Sequence, residues 1–234
     1  MKKIIFVMLF VMTLGVVADA KLPATYKEFK ARYQNEAKTP QGAVKLYFEG
    51  VFAFINPETR AEGGKMLRYA MYADRPIERS TYYATFVERM KDPDYNYAFR
   101  SYAEGATPEN NYSMNPDNFK IRFADRGKKD PGGYLRLGLR SSGADSPRVV
   151  WVKKYDDGLW YVINNAATYV QVKEPKAEQI RRSHAHDADY DEPEPEVNNE
   201  PEPKVNEINN NEPKPKPEVN NSNNSEPEPE AEWD

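Results

Sequence analysis

The sequence predicts one α+β domain between residues 21 and 174, with N-terminal helices packed on a curved antiparallel sheet of four strands. Apolar residues recur with the helical period of 3.6 as far as residue 91, and with the strand period of 2 from Asn118 onward. Composition then changes near residue 174, where a polar repeat begins. Helices followed by a meander favour a sheet with its helices on one face.

The first twenty residues have the pattern of a secretory signal peptide. Lys2 and Lys3 precede an apolar run at 4–17, and residues 18–20 form a small-x-small cleavage site. The run is too short to span a bilayer comfortably. We expect an exported bacterial protein, periplasmic or extracellular, that begins near Lys21 without a membrane span. A retained N-terminal anchor is the alternative.

Four helices are predicted in the first half. Tyr26, Phe29 and Tyr33 have helical spacing, and Thr39 is a suitable N-cap for a second helix with Pro40 in its first turn. The second helix carries the widest apolar stripe: Val44, Tyr47, Phe48, Val51, Phe54 and Ile55. A third helix contains Met66, Leu67, Ala70 and Met71, and a fourth opens at Ser80 and ends at Lys91.

Four strands are predicted in the second half, at 118–127, 133–142, 148–155 and 159–164. The last two are joined by Asp156-Asp157-Gly158, a good hairpin signal. The other connections contain Gly or Pro, so the strands form an antiparallel meander.

The tail, residues 175–234, carries 6 Lys and Arg against 17 Asp and Glu, whereas the body has 25 against 19. Its few large apolar residues cannot offset the entropy of ordering the chain, so we expect a disordered acidic spacer rich in Pro, Glu and Asn. His184 and His186 are acceptable metal ligands, but no fold holds them, and we expect no metal site. Folding of the acidic tail onto the basic body is an alternative that salt would screen.

Two stretches carry a resemblance to a known superfamily. The helix "TPQGAVKLYFEGVFAFIN" and the hairpin "VVWVKKYDDGLWYVIN" resemble the nuclear transport factor 2-like superfamily. The stretch "RSYAEGATPENNYSMNPDNFKI" is similar to uncharacterised domains of secreted bacterial proteins. Together they cover about residues 38–170. The resemblance implies a cone with a pocket between sheet and helices, in a superfamily of both enzymes and non-catalytic binding domains.

The body contains neither His nor Cys. This excludes Ser-His-Asp hydrolysis, Cys-His chemistry and His-ligated zinc there. A Tyr acting with a carboxylate, as in some isomerases or hydrolases, is compatible with the composition. We expect no cofactor, and because the protein is predicted to be exported, we expect no nucleic-acid partner.

Two candidate sites follow from the residue types. Aromatic residues outside the periodic stripes are candidates for a ligand pocket or a sugar-stacking surface: Tyr82, Tyr83, Tyr102, Tyr112, Trp151 and Trp160. A predicted hairpin gathers a basic patch: Arg126, Lys128, Lys129, Arg136 and Arg140. The sequence favours a non-catalytic module that binds a protein or small ligand in the cell envelope. A Tyr/carboxylate enzyme and an envelope scaffolding protein are the alternatives.

Overall fold

The structure is a computed structural model that describes residues 21–187. The predicted signal peptide and the tail from residue 188 lie outside the described residues. Within the described range, six α-helices accompany one antiparallel sheet with strand order β1-β2-β3-β4. This confirms the predicted α+β class and the four-strand meander.

The helices are α1 (Tyr26–Glu36), α2 (Pro40–Ile55), α3 (Arg60–Ala70), α4 (Ala84–Lys91), α5 (Tyr97–Arg100) and α6 (Lys176–His184). The strands are β1 (Lys128–Lys129), β2 (Tyr134–Leu139), β3 (Arg148–Lys154) and β4 (Trp160–Asn164). The predicted cap of α2 is confirmed: the Thr39 hydroxyl accepts a hydrogen bond from the Gly42 N–H at 3.0 Å, and Pro40 lies in the first turn.

Two element boundaries differ from the prediction. The helix predicted to open at Ser80 begins at Ala84, because the short 3-10 turns Ile77–Arg79 and Thr81–Tyr83 precede it. The strand predicted at 118–127 forms isolated bridges, at Ile121 and Phe123, and regular pairing starts at β1. A bend interrupts the predicted strand at Asp125, whose carboxylate accepts hydrogen bonds from the N–H groups of Gly127 and Gly138.

Helix α2 is the centre of the core. Its predicted apolar stripe is buried apart from Ile55, which is half-buried. The helix is also buried outside that stripe, at Leu46, Phe52 and Ala53, because α1, α3, α4 and the last two strands all contact it. The space between α2 and the sheet is therefore filled by the protein's own side chains.

Helix α1 covers the outer edge of β4. The Trp160 N–H donates to the Ala37 carbonyl at 2.9 Å, and the Tyr33 hydroxyl donates to the Trp160 carbonyl at 2.7 Å. These bonds satisfy backbone groups that an edge strand otherwise leaves open to pairing with another chain. They also fix the next residue, Tyr161, against α1 and α3.

Helix α6 occupies the start of the segment that the sequence analysis assigned to the tail. Glu178 pairs with Arg181 and Arg182, and hydrogen bonds from these guanidinium groups lower the pKa of Glu178 to about 2. His184 ends this helix.

Among residues 21–187 no group of three or more His, Cys, Asp or Glu is placed to hold a metal ion. No helix in that range is long and apolar enough to cross a membrane.

Candidate functional site

An open pocket of about 480 Å³ lies between α1, α3, the turn after α3 and β4. We call it the tyrosine pocket because four tyrosines line it. Its principal lining residues are Tyr26, Tyr69, Tyr72, Tyr161, Lys65, Arg68 and Asp74. Its volume lies within the range of small-molecule sites, about 300–1,000 Å³.

Tyr69 is the centre of the pocket's aromatic wall. Its ring meets the rings of Tyr26, Tyr33 and Tyr161 edge to face, at centroid distances of 6.0, 5.1 and 5.8 Å. Such edge-to-face pairs are favourable because the positive edge of one ring meets the negative face of another. The wall is therefore held in one arrangement by contacts from two helices and a strand.

Of the four tyrosines that line the pocket, Tyr161 is the most buried, and its hydroxyl has a polar partner. It donates a hydrogen bond of 2.6 Å to the carboxylate of Asp157, which lies in the β3–β4 turn. Burial, followed by the hydrogen bonds with Asp157 and Tyr69, raises the pKa of Tyr161 well above its ordinary value. Burial also raises the pKa of Tyr26. Both phenols therefore remain protonated and neutral at neutral pH.

The rim of the pocket carries an unbalanced positive charge. Lys65 is paired with Glu62, and the Asp74 carboxylate is paired with Arg75 at 2.9 Å. Arg68 donates to the backbone carbonyl of Asp74 at 2.9 Å, and no ion pair joins it to a carboxylate of residues 21–187. Arg68 is thus available to a negatively charged group in the pocket.

Tyr72 forms the outer wall in an unusual backbone conformation. Its φ of 50° lies in the left-handed region, which is strained for a bulky residue. The side chain is 55% exposed and stacks on Tyr155 at a centroid distance of 3.9 Å. Strain of this kind persists where the surroundings enforce it and is frequent at functional sites.

From Tyr72, pairs of aromatic rings separated by cations cross the outer face of the sheet. Lys153 lies 5.3 Å from the ring centroid of Tyr155 and 5.4 Å from that of Tyr134. Tyr134 meets Trp151 at 6.1 Å, and Arg136 lies 5.6 Å over the Trp151 ring. The strand register explains the series, since Tyr134 pairs with Lys153 and Arg136 with Trp151. We call this series, Tyr72, Tyr155, Lys153, Tyr134, Trp151 and Arg136, the aromatic ladder.

Residues 21–176 match a family described as a domain of unknown function (DUF6935). The chain belongs to this family. No match was found among curated proteins or among solved structures. The resemblance of this DUF6935 domain to the nuclear transport factor 2-like superfamily therefore stays a prediction, and the tyrosine pocket and aromatic ladder both lie within the matched residues.

The six predicted ligand-binding aromatics are dispersed in the DUF6935 domain, and none lines the tyrosine pocket. Tyr82 is 71% exposed and Tyr83 is half-buried, on a turn before α4. Tyr102 and Tyr112 are fully buried, so neither presents a surface to a ligand. Both fold inward because their segments pack on the core: Tyr102 contacts Phe48, and Tyr112 stacks on Tyr97.

Trp151 and Trp160 are both half-buried. Trp151 belongs to the aromatic ladder, so one of the six predicted aromatics takes part in the candidate site. The backbone of Trp160 binds α1 through its N–H and carbonyl groups. Its ring packs against the core.

The predicted basic patch divides into two groups. Lys128 and Arg136 are cross-strand partners, and Arg136 lies 3.9 Å from Asp130. Lys129 lies in the same strand as Lys128 and pairs with Leu135 of β2. Arg126 is exposed in the bend that precedes β1. Arg140 lies at the opposite end of β2, where its backbone N–H donates to the Arg122 carbonyl at 2.8 Å.

The buried hydroxyl of Tyr102 makes no hydrogen bond within the described residues. Burial also raises its pKa, so the hydroxyl stays protonated. We expect Tyr102→Phe to stabilise the domain by about 1 kcal/mol, because an unpaired buried hydroxyl costs about that much. A domain of this size should then melt about 2–4 °C higher. Tyr33→Phe is the matched control and should lower the melting temperature, since its hydroxyl is bonded to Trp160. Equal shifts for both variants would contradict the assignment.

Proposed function

We propose that this DUF6935 domain is a non-catalytic binding module whose tyrosine pocket takes a sugar ring with an anionic substituent. The observation that carries the proposal is the combination in one pocket of four tyrosine rings and the cation Arg68 without a carboxylate partner among the described residues. A sugar ring has apolar C–H faces and polar hydroxyl edges. Tyrosine offers the matching surfaces, an apolar ring and a hydrogen-bonding tip.

The charge at the rim supports an anionic substituent. A guanidinium binds a carboxylate or a phosphate through two parallel hydrogen bonds, and its attraction is strongest where water is partly excluded. Arg68 lies beside Tyr69, one residue along α3. A cationic ligand is disfavoured because Lys65 and Arg68 both line the pocket, while the Asp74 carboxylate is paired with Arg75.

The Tyr161–Asp157 pair is the arrangement that a Tyr/carboxylate enzyme would use, yet its chemistry favours binding. A general acid or base works best with a pKa near the operating pH. The pKa of Tyr161 is raised, so the phenol keeps its proton, and Asp157 is exposed to water. The pair therefore supplies a fixed hydrogen bond that orients the ring of Tyr161.

The predicted signal peptide and acidic repeat support the remainder of the proposal. In an exported protein, a long charged spacer would hold the domain away from the structure to which the tail is attached. The domain could then reach ligands of the bacterial envelope. An envelope scaffolding protein is the alternative that shares this location. It would use the aromatic ladder for a protein partner and leave the pocket empty.

Titration of the full chain with glucuronic acid and with glucose tests the proposed function. We expect tighter binding of glucuronic acid, and Tyr72→Ala should remove about 1 kcal/mol of aromatic contact. That loss raises Kd by roughly fivefold. Arg68→Gln should weaken binding of glucuronic acid and leave glucose unaffected.

Tyr82→Ala is the matched control, because Tyr82 is an exposed tyrosine outside the pocket. It should leave both affinities unchanged. An equal loss in Tyr72→Ala and Tyr82→Ala contradicts the pocket assignment. Conversion of the sugar during incubation would favour the enzyme alternative, and absence of binding by either sugar would favour the scaffolding alternative.

A further inference from the structure

A second, smaller cavity of about 180 Å³ lies at the far end of β2 from the aromatic ladder's Tyr134. The residues that matter in its lining are Arg122, Arg140, Ser141, Ser142, Asp145 and Ser146. We call it the arginine cavity. Its volume is below the range for drug-sized ligands, about 300–1,000 Å³, so its occupant must be a small group.

Two arginines face this cavity from neighbouring backbone segments. Phe123 and Leu139 form an antiparallel bridge, and the Arg140 N–H donates to the Arg122 carbonyl at 2.8 Å. Arg122 and Arg140 are therefore direct cross-strand neighbours. Like charges directly opposite each other destabilise a sheet, and arginine cannot relieve the repulsion by losing its proton.

No carboxylate of residues 21–187 compensates this pair. None of the ion pairs in that range includes Arg122 or Arg140. Asp145 lines the cavity, but its carboxylate is 90% exposed and pairs with Lys173 at 3.2 Å. The Nε atom of Arg122 is buried and makes no hydrogen bond within the described residues. A buried charged donor without a partner is costly, which adds to the unfavourable electrostatics of this pair.

The serines differ in what they can offer to an anion. Ser141 donates its hydroxyl to Ser101 at 2.7 Å, and Ser142 directs its hydroxyl to backbone carbonyls of residues 101 and 106. The Ser146 oxygen accepts from Arg148 at 3.2 Å, which leaves its own hydrogen free to donate. Among the lining side chains that the structure describes, the two guanidinium groups and the Ser146 hydroxyl are thus free to donate.

We propose that the arginine cavity binds a single tetrahedral oxyanion, a phosphate or sulfate group, through Arg122 and Arg140. Such a group accepts bidentate hydrogen bonds from guanidinium and neutralises the cross-strand repulsion. The group is either a free ion or an ester on a larger molecule. The site is independent of the tyrosine pocket, so each proposal can fail alone.

The test follows the Arg122 Nε–H NMR signal of the full chain during titration with inorganic phosphate, sulfate and glycerol 3-phosphate, against chloride at matched ionic strength. We expect a saturable shift with the oxyanions and none with chloride. Arg122→Gln and Arg140→Gln should each weaken binding about tenfold or more, detected through the remaining arginine and by thermal shift. The Arg126→Gln control, an exposed arginine outside the cavity, should retain the affinity.

The titrations with phosphate and with glycerol 3-phosphate distinguish a free ion from an ester group on a larger molecule. Equal affinity for phosphate and glycerol 3-phosphate indicates a free ion, and tighter binding of glycerol 3-phosphate indicates an ester group. A linear response that is the same for chloride overturns the proposal, as does equal weakening by Arg126→Gln. In chloride alone, Arg140→Gln should melt at the same temperature as the wild type or higher, because repulsion is relieved. A lower melting temperature would mean that Arg140 is structural and would overturn the site.

Discussion

Gly63→Ala is expected to destabilise the domain by about 3 kcal/mol, because α3 packs directly against the backbone of α2 at this residue. A Cβ atom at Gly63 would lie 2.4 Å from the Phe54 nitrogen and 2.6 Å from the Ala53 carbonyl carbon. Both belong to the backbone of α2, which cannot rotate away, so the helices must separate. Overpacking of this kind costs about 1–3 kcal/mol, and the rigid obstacle places Gly63 at the upper end.

Gly64→Ala is the matched control, one residue further along α3. Its Cβ would lie 2.5 Å from the Glu78 carboxylate oxygen, the free end of a flexible side chain. Alanine is also favoured over glycine in a helix by about 1 kcal/mol. Urea unfolding should show a large loss for Gly63→Ala and little change, or a gain, for Gly64→Ala. Similar losses in both would indicate that the contact of Gly63 with the α2 backbone does not set the cost.

The helical half of the fold could be predicted because its local signals agree with its packing. Thr39 and Pro40 mark the start of α2, and Asn56 marks its end. The sheet was predictable from its alternation and from the Asp-Gly turn, where Gly158 has a φ of 80°. The interruption at Asp125 was not, since it depends on hydrogen bonds from Gly127 and from the neighbouring strand residue Gly138.

The candidate site was largely missed for a physical reason. Tyr26, Tyr69 and Tyr161 come from α1, α3 and β4, and neither their spacing nor their periodicity indicates that they meet. Tyr102 and Tyr112 have the same composition signal but are buried, because burial depends on tertiary packing that tyrosine alone does not reveal. One sequence signal could have indicated a pocket residue: Tyr69 lies beside the buried Met66 and Ala70 on α3, at the border of the apolar stripe.

Arg32→Ala is expected to cost about 3 kcal/mol at neutral pH, because it leaves a buried carboxylate without its main partner. Glu49 on α2 is 1% exposed, and its Oε1 receives Arg32 at 2.8 Å and Lys45 at 3.5 Å. Its Oε2 is buried without a partner in the described residues. Burial raises the pKa of Glu49, although the charges of Arg32 and Lys45 oppose the shift. Breaking a buried ion pair from one side typically costs about 3–5 kcal/mol.

The pH dependence distinguishes this mechanism from loss of packing. Without Arg32, the pKa of Glu49 in the folded state rises further above its unfolded value, so folding is coupled to uptake of a proton. The contribution of this carboxyl to stability is full below its unfolded pKa and is lost as pH rises through the folded pKa. The difference in free energy of unfolding between Arg32→Ala and wild type should therefore be smaller at about pH 5 than at about pH 7.

The double variant Arg32→Ala/Glu49→Gln should recover much of the loss at neutral pH, because no buried charge then lacks its main partner. Lys27→Ala, at an exposed position of α1, should change stability by less than about 0.5 kcal/mol. A loss that is independent of pH and persists in the double variant would assign the effect to packing of the Arg32 side chain instead.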